Sequence, residues 1–224
     1  MAKIFLFGKD SIKKEIKTLF GENADFTNTL NNDVDIIIDS TNYPRAKKLE
    51  NIKSIDKHCK TGIPVLTSSL CISVSEQCTM SKLPHRLIGI GLYDTFSSAK
   101  RIELAPSKIT DSEILKNAEN ILRGFEINYS MVPDRVGLVF PRILSMIINE
   151  AAQVYSEKIA IKEDIDTAMK LGTNYPFGPL EWADRLGIEL VYEILSALQR
   201  DFGEDRYRPH PLLNEMINLN KNFY

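Results

Sequence analysis

The run from Ile165 to Gly187, IDTAMKLGTNYPFGPLEWADRLG, constrains the fold more than any other stretch, because its backbone punctuation leaves few conformations open. Glu163 and Asp164 stand in the first turn of a leading helix and Lys170 in its last, the charge order that the helix dipole favours, and Gly172 is placed to stop it. Pro176, Gly178 and Pro179 then fix a turn, with Pro179 suited to the first position of a second helix that passes through Trp182 and stops at Gly187. The pattern predicts helix, rigid turn, helix, with the two helices held at a sharp angle.

Helices also surround this run. Leu144, Ile147, Ile148, Ala151, Ala152 and Tyr155 recur at helical spacing, with Pro141 tolerable only in the first turns. Leu190, Val191, Ile194, Leu195, Leu198 and Phe202 mark another helix, stopped at Gly203. Pro209 and Pro211 break the chain before a short helix around Leu212 to Leu219, and the tail from Asn218 to Tyr224 is expected to fray.

Before about residue 131 the pattern is different. Ile4 to Phe7 is a short apolar run ending at Gly8, followed by Ile12, Ile16, Leu19 and Phe20 at helical spacing up to Gly21. Val34 to Ile38, Pro64 to Leu66, Leu87 to Ile90 and Ile102 to Leu104 read as further strands, with a helix through Ala46, Leu49, Ile52 and Ile55 ending near Gly62. A helix from Asp111 to Gly124 has Thr110 as N-cap and Glu113 completing a capping box. Near-continuous apolar strands alternating with helices predict a parallel, doubly wound sheet. The expected organisation is therefore an α/β Rossmann-like domain over residues 1–130 and an all-α domain over 131–224.

Charge and cysteine content limit the partners. The 28 basic and 30 acidic residues leave a formal charge of -2, with no long basic run, so neither nucleic acid nor an anionic membrane is indicated. No apolar stretch approaches the roughly 18 residues of a spanning helix, and the first residues carry no secretory pattern, so a cytoplasmic location is expected. Cys59, Cys71 and Cys78 are odd in number and irregularly spaced, which argues against a disulfide framework. Cys71, Cys78 and His85 lack the C-x-x-C spacing of a zinc site, and no metal is expected.

A strand that meets a helix at glycine raises dinucleotide binding. The fingerprint G-x-G-x-x-G uses its glycines for the turn, for close approach of backbone to pyrophosphate and for helix packing. From Gly8 the chain reads Gly-Lys-Asp-Ser-Ile-Lys, so Gly8 alone remains, Asp10 places a carboxylate where the pyrophosphate comes closest, and Lys13 replaces the packing glycine. Lys9 and Lys13 are left either to attract phosphate by charge or to be solvated at a helix start. Asp33 and Asp35 fall near the distance of a ribose-binding acid but belong to the approach of the next strand.

The run AMKLGTNYPFGPLEWADRLG, with DRYRPHPLLNEMI from Asp205 to Ile217, resembles the C-terminal domain of the 3-hydroxyacyl-CoA dehydrogenase family, and the likeness extends back to about Val132. The resemblance implies a shortened N-terminal domain, a homodimer through the helical domain, and an acyl-CoA ligand. In that family a histidine oriented by a glutamate removes the proton of the 3-hydroxyl, while a serine and an asparagine position the substrate. By this resemblance the histidine position is Gly91, the orienting glutamate is Glu103, twelve residues on, the serine is Ser68 with Leu66 replacing an asparagine, and a second asparagine is Pro141 beside a retained Arg142. His58, His85 and His210 read as packing or surface histidines.

Two functional readings follow. In the first, the chain is a catalytically silent relative that needs no cofactor and acts by binding an acyl-CoA or a partner. In the second it is an active NAD-dependent 3-hydroxyacyl-CoA oxidoreductase with a rearranged site using Glu103 or Ser68.

Overall fold

The computed structural model describes residues 1–96 and 101–224, which form two compact units, Met1–Leu138 and Val139–Tyr224. In the first unit a seven-stranded sheet is built from β1 (Lys3–Phe7), β2 (Asp25–Thr27), β3 (Ile36–Asp39), β4 (Val65–Ser68), β5 (Leu87–Ile90), β6 (Ile102–Pro106) and β7 (Tyr129–Met131), in the spatial order β2-β1-β3-β4-β5-β6-β7. The helices are α1 (Asp10–Phe20), α2 (Arg45–His58), α3 (Val74–Cys78) and α4 (Ser112–Gly124).

β3, β4 and β5 are buried along their whole length, as expected of central parallel strands covered on both faces. Ile37, Val65 and Leu87 pack there with Ile55 of α2 and Val74 of α3. The chain steps from β1 to β2 on one side and then to β3 on the other, pairing Ile4 with Phe26 and with Ile36. β1 and β3 thus flank the topological switch point, the crevice where sheets of this kind bind ligands.

The fold class matches the expectation, with local corrections. The sheet is not wholly parallel: β6 runs antiparallel to β5, Ile88 facing Pro106, because residues 91–101 are fewer than the dozen or more that a parallel crossover takes. The N-cap of α4 is Asp111, whose carboxylate accepts from the backbone N–H of Glu113 and Ile114. Thr110 is diverted instead, accepting from Ser107 N–H and donating to the carbonyl of Leu87. α2 ends at His58, before Gly62.

The second unit is helical: α5 (Phe140–Ser156), α6 (Lys162–Thr173), α7 (Pro179–Leu186), α8 (Ile188–Phe202) and α9 (Pro211–Asn218). α8 is its core element, burying Leu190, Val191, Ile194, Leu195, Ala197 and Leu198, each worth about 1.5–3 kcal/mol for a branched side chain. α5 buries Leu144, Ile148, Ala151 and Ala152 as read from the sequence, whereas Tyr155 is half-exposed and stacks edge-on against Phe223.

The turn between α6 and α7 is held by Asp166, which is 1% exposed. Its carboxylate accepts from Leu180 N–H at 2.8 Å and Glu181 N–H at 3.0 Å, capping the start of α7 from outside the helix. A Cβ on Gly178 would lie 2.2 Å from Asp166 Cβ and Cγ, so glycine is required there. Glu181 accepts from Gly178 N–H and Lys170 Nζ, both at 2.9 Å, and these bonds hold its carboxyl below the usual range. α6 does not stop at Gly172; it runs to Thr173 and ends on Asn174, which takes the left-handed conformation.

The tail does not fray. Phe223 is buried, the backbone N–H groups of Phe223 and Tyr224 donate to Asp184 at 2.9 and 2.8 Å, and the Tyr224 hydroxyl donates to Asp166 at 2.9 Å. Lys162 Nζ lies 4.3 Å from the Tyr224 ring centre. The partners Asp184, Lys162 and Asp166 are remote in sequence, so no local pattern announces the docking.

Candidate functional site

At the switch point, β1 is followed by Gly8, whose φ of 123° is open to glycine. The Ser40 side chain, directly after β3, fills the space beside it: a Cβ on Gly8 would come within 1.8 Å of Ser40 Oγ, which donates to Phe7 O at 2.9 Å. Lys9 Nζ reaches across from the β1–α1 turn, 3.1 Å from the Tyr43 hydroxyl and 5.0 Å from that ring's centre. Asp10 opens α1 with a fully exposed carboxylate, 3.5 Å from Lys13 Nζ. The two segments that border the crevice are therefore tied to each other.

One layer below, the carboxyl ends of β3 and β4 hold a buried polar network. Lys48, 0% exposed, donates to Asp39 Oδ2 and Thr67 Oγ1, each at 2.9 Å. Asn51 donates to Asp39 Oδ1 at 3.2 Å and Thr41 Oγ1 at 2.9 Å. The Thr67 hydroxyl donates to Gln77 Oε1 at 2.6 Å, and Gln77 Nε2 donates to the carbonyls of Ser68 and Ile72. Burial pulls the Lys48 pKa down, and the pairing with Asp39 opposes it.

Ser68, the serine read from the sequence, lies at the end of β4 and is buried. Its hydroxyl donates to Asn42 Oδ1 at 2.6 Å, and Asn42 Nδ2 donates to Leu92 O at 2.9 Å. Glu103 lies within β6, next to the start of the loop after β5: Gly91 N–H donates to Glu103 O at 3.2 Å. A Cβ on Gly91 would stand 3.9 Å from Glu103 Oε2 and 3.3 Å from Leu138 Cδ1. Tyr93, buried nearby, has its phenol pushed up by burial and by the Glu103 charge.

Arg142 lies in the second unit, on α5. Its guanidinium is 4.6 Å from the Phe202 ring centre and 5.1 Å from that of Tyr207, whose hydroxyl it also bonds. Pro141 is buried in the first turn of the same helix. His210 N-caps α9, its Nδ1 accepting from Leu212 N–H at 3.2 Å, while its backbone N–H donates to Asn149 Oδ1. His58 is the last residue of α2, and His85 lies in a single 3-10 turn before β5. Among the described residues no cluster of three metal-ligating side chains occurs, and no helix is long and apolar enough to cross a membrane.

Within the first unit the structure brings together Gly8 with Ser40 and Lys9 with Tyr43, Ser68 with Asn42, and Glu103 with Gly91 and Tyr93. Sequence reasoning missed Ser40, Asn42, Tyr43, Lys48 and Tyr93. Ser40 and Asn42 carry a faint signal, as polar residues at the end of the apolar run IIID. Lys48 carries none, because in RAKKLE nothing distinguishes it from the exposed Lys47.

A sequence profile described as 3-hydroxyacyl-CoA dehydrogenase, C-terminal domain, matches residues 137–222. A 3-hydroxybutyryl-CoA dehydrogenase of Clostridioides difficile is 31% identical over 189 residues, covering 84% of this chain and 67% of that protein. A probable 3-hydroxybutyryl-CoA dehydrogenase of Bacillus subtilis is 31% identical over 188 residues, covering 82% and 64%. The chain thus matches about two thirds of the length of these relatives. In fold it is similar to the crystal structures of FadB2 from M. tuberculosis (TM-score 0.87, 19% identity, covering 99% and 97% of the two chains) and of the (S)-3-hydroxybutyryl-CoA dehydrogenase PaaH1 from Ralstonia eutropha (0.84, 20%, covering 100% and 98%).

Proposed function

The chain belongs to the 3-hydroxyacyl-CoA dehydrogenase family, and from that premise we propose that it binds an acyl-CoA or related ligand without carrying out an NAD-dependent hydride transfer. The observation that carries this reading is the tied switch point, with Ser40 in the space beside Gly8 and Lys9 bonded to Tyr43. The residues there do not fit an NAD pyrophosphate: a carboxylate, Asp10, and a lysine, Lys13, stand at the two fingerprint positions that need bare backbone. Gly91 supplies no base, and losing a positioned general base costs roughly 10² to 10⁴ in rate. Ser68 is already committed to Asn42.

The second reading, an active oxidoreductase with a rearranged site, draws support from one feature, the buried Tyr93 phenol beside Glu103, a pair able to exchange a proton with a bound oxygen. Calorimetric titration with NADH and then acetoacetyl-CoA separates the two. No NADH heat up to millimolar concentration, with heat on adding the CoA thioester, is the expected result. Micromolar NADH binding, about 8 kcal/mol, would overturn the proposal in favour of the active enzyme.

The proposal includes a homodimer through the helical unit. Val139, Phe140, Ile143, Ile159, Ile161 and Leu171 are large apolar residues left exposed on that unit. Sedimentation of a single monomer species at micromolar concentration would remove this part.

A further inference from the structure

The first unit carries a second feature that neither reading uses. α2 and the segment after α3 enclose a groove of about 420 Å³ lined by Lys53, Asp56, Lys57, Met80 and Lys82. Lys53 and Lys57 are four residues apart on α2 and so project from one face, while Lys82 enters from a different segment. A solvated helix end explains Lys57, which complements the dipole at the carboxyl end of α2. It does not explain Lys82, or a concavity between them.

The charge balance of the groove is specific. The Asp56 carboxylate accepts from Arg86 Nη2 at 2.9 Å, from Ser81 Oγ at 3.0 Å to both oxygens, and from Lys82 N–H at 2.6 Å. Arg86 is 0% exposed and also donates to the carbonyls of Cys59 and Lys60. The one acid in the lining is therefore neutralised by a guanidinium beneath it. The ammonium groups of Lys53, Lys57 and Lys82 have no carboxylate partner among the described residues. Three uncompensated cations thus border a groove whose wall is the Met80 thioether and lysine methylenes.

We infer that this groove binds a small polyanion bearing two or more phosphate charges. Lysine ammonium groups act as movable point charges suited to phosphate, where a planar carboxylate would call for the arginine fork. The volume is in the lower part of the range of about 300–1,000 Å³ for small-molecule sites, which admits a diphosphate or a nucleotide and not a folded partner. The chain's overall charge of -2 gives no long-range pull on a polymer, so the attraction is local to the groove. α2 leaves the carboxyl end of β3 and runs back, so its last turns lie toward the amino ends of the strands, away from the switch point. Occupancy here is therefore independent of whether NADH binds.

The test is an amide-shift titration of the full chain with inorganic pyrophosphate at low salt. Shifts confined to residues 53–57 and 80–86, weakening as salt is raised, are expected. In the triple variant Lys53→Gln/Lys57→Gln/Lys82→Gln, checked for an unchanged circular dichroism spectrum, affinity falls by about fivefold per exposed lysine, roughly a hundredfold together. A variant that binds as tightly as wild type, shifts centred on Lys9 and Lys13, or binding of polyglutamate without binding of pyrophosphate would each overturn the inference.

Discussion

Replacing Asp166 with asparagine removes the link that joins three parts of the helical unit while keeping the side chain's size. The carboxylate accepts from Leu180 N–H, Glu181 N–H and the Tyr224 hydroxyl at 2.8–3.0 Å, at a site that is 1% exposed. An amide offers a single oxygen and turns an NH₂ toward at least one of these donors. A hydrogen bond to a charged group contributes about 1.5–3 kcal/mol and a stranded buried donor costs about 1–3, so Asp166→Asn should lose about 3–4 kcal/mol. Tyr224→Phe removes one of the three bonds from a residue that is 53% exposed, where water competes, and should cost about 1 kcal/mol. Urea unfolding followed by the fluorescence of Trp182, the sole tryptophan, reads α7 directly. In the Asp166→Asn background the further loss from Tyr224→Phe should nearly vanish, because the acceptor is already altered. A loss below 1 kcal/mol for Asp166→Asn, or strict additivity of the two changes, would refute the assignment of Asp166 as the acceptor that joins the α6–α7 turn to the tail.

Two further outcomes are expected. Lys48→Met strands the Asp39 charge at a site with 0% exposure and should cost about 3–5 kcal/mol in urea unfolding; the double change Lys48→Met/Asp39→Leu should recover much of it, and a single variant as stable as wild type would sink the network. Tyr224 has its pKa raised above the ordinary 10, by partial desolvation of its hydroxyl and by the hydrogen bond to and charge of Asp166. The folded state therefore holds that proton more tightly, and the associated stability is present below pH 10 and lost as pH rises beyond it. The Tyr224→Phe variant should lose less stability than wild type above that pH, with Tyr93 sustaining part of the decline in both; parallel curves would contradict this.

What the sequence disclosed follows the range of the forces involved. Helices with a full apolar face and terminal punctuation, such as α7 between Gly178 and Gly187 and α8 up to Gly203, were legible, as was β5 at Leu87–Ile90. α3 was not: its five residues are too few for a period, and its first N–H groups are held by Asp134, about sixty residues away. The choice of Asp111 over Thr110 as cap turned on Ser107 and Leu87 taking the threonine hydroxyl, a tertiary matter. At the candidate site Gly8, Ser68 and Glu103 could be placed, because a turn or a likeness marked them. Their partners Ser40, Asn42 and Tyr93 could not, since a polar residue after a strand has the same local pattern whether it faces water or a neighbour.

On the proposed reading a nucleotide meets two separate obstacles at the switch point, the Lys9–Tyr43 contact and the side chains at the fingerprint positions. To admit a pyrophosphate, Lys9 must give up the hydroxyl and ring face of Tyr43, about 1–2 kcal/mol for an exposed hydrogen bond and cation–π contact together. Asp10, whose carboxylate is fully exposed, adds a like charge at a position where the fingerprint carries bare backbone. Lys13 offsets part of this, but its amine is already 3.5 Å from Asp10. The Lys9 contribution alone weakens binding by roughly 5- to 30-fold, before any loss of the glycine-dependent backbone contacts. On this reading, glycine at positions 10 and 13 alone would leave the Lys9–Tyr43 tie and the Ser40 side chain in place, so the fingerprint side chains and the contacts across the crevice are separate physical barriers, and removing either one recovers only its own share.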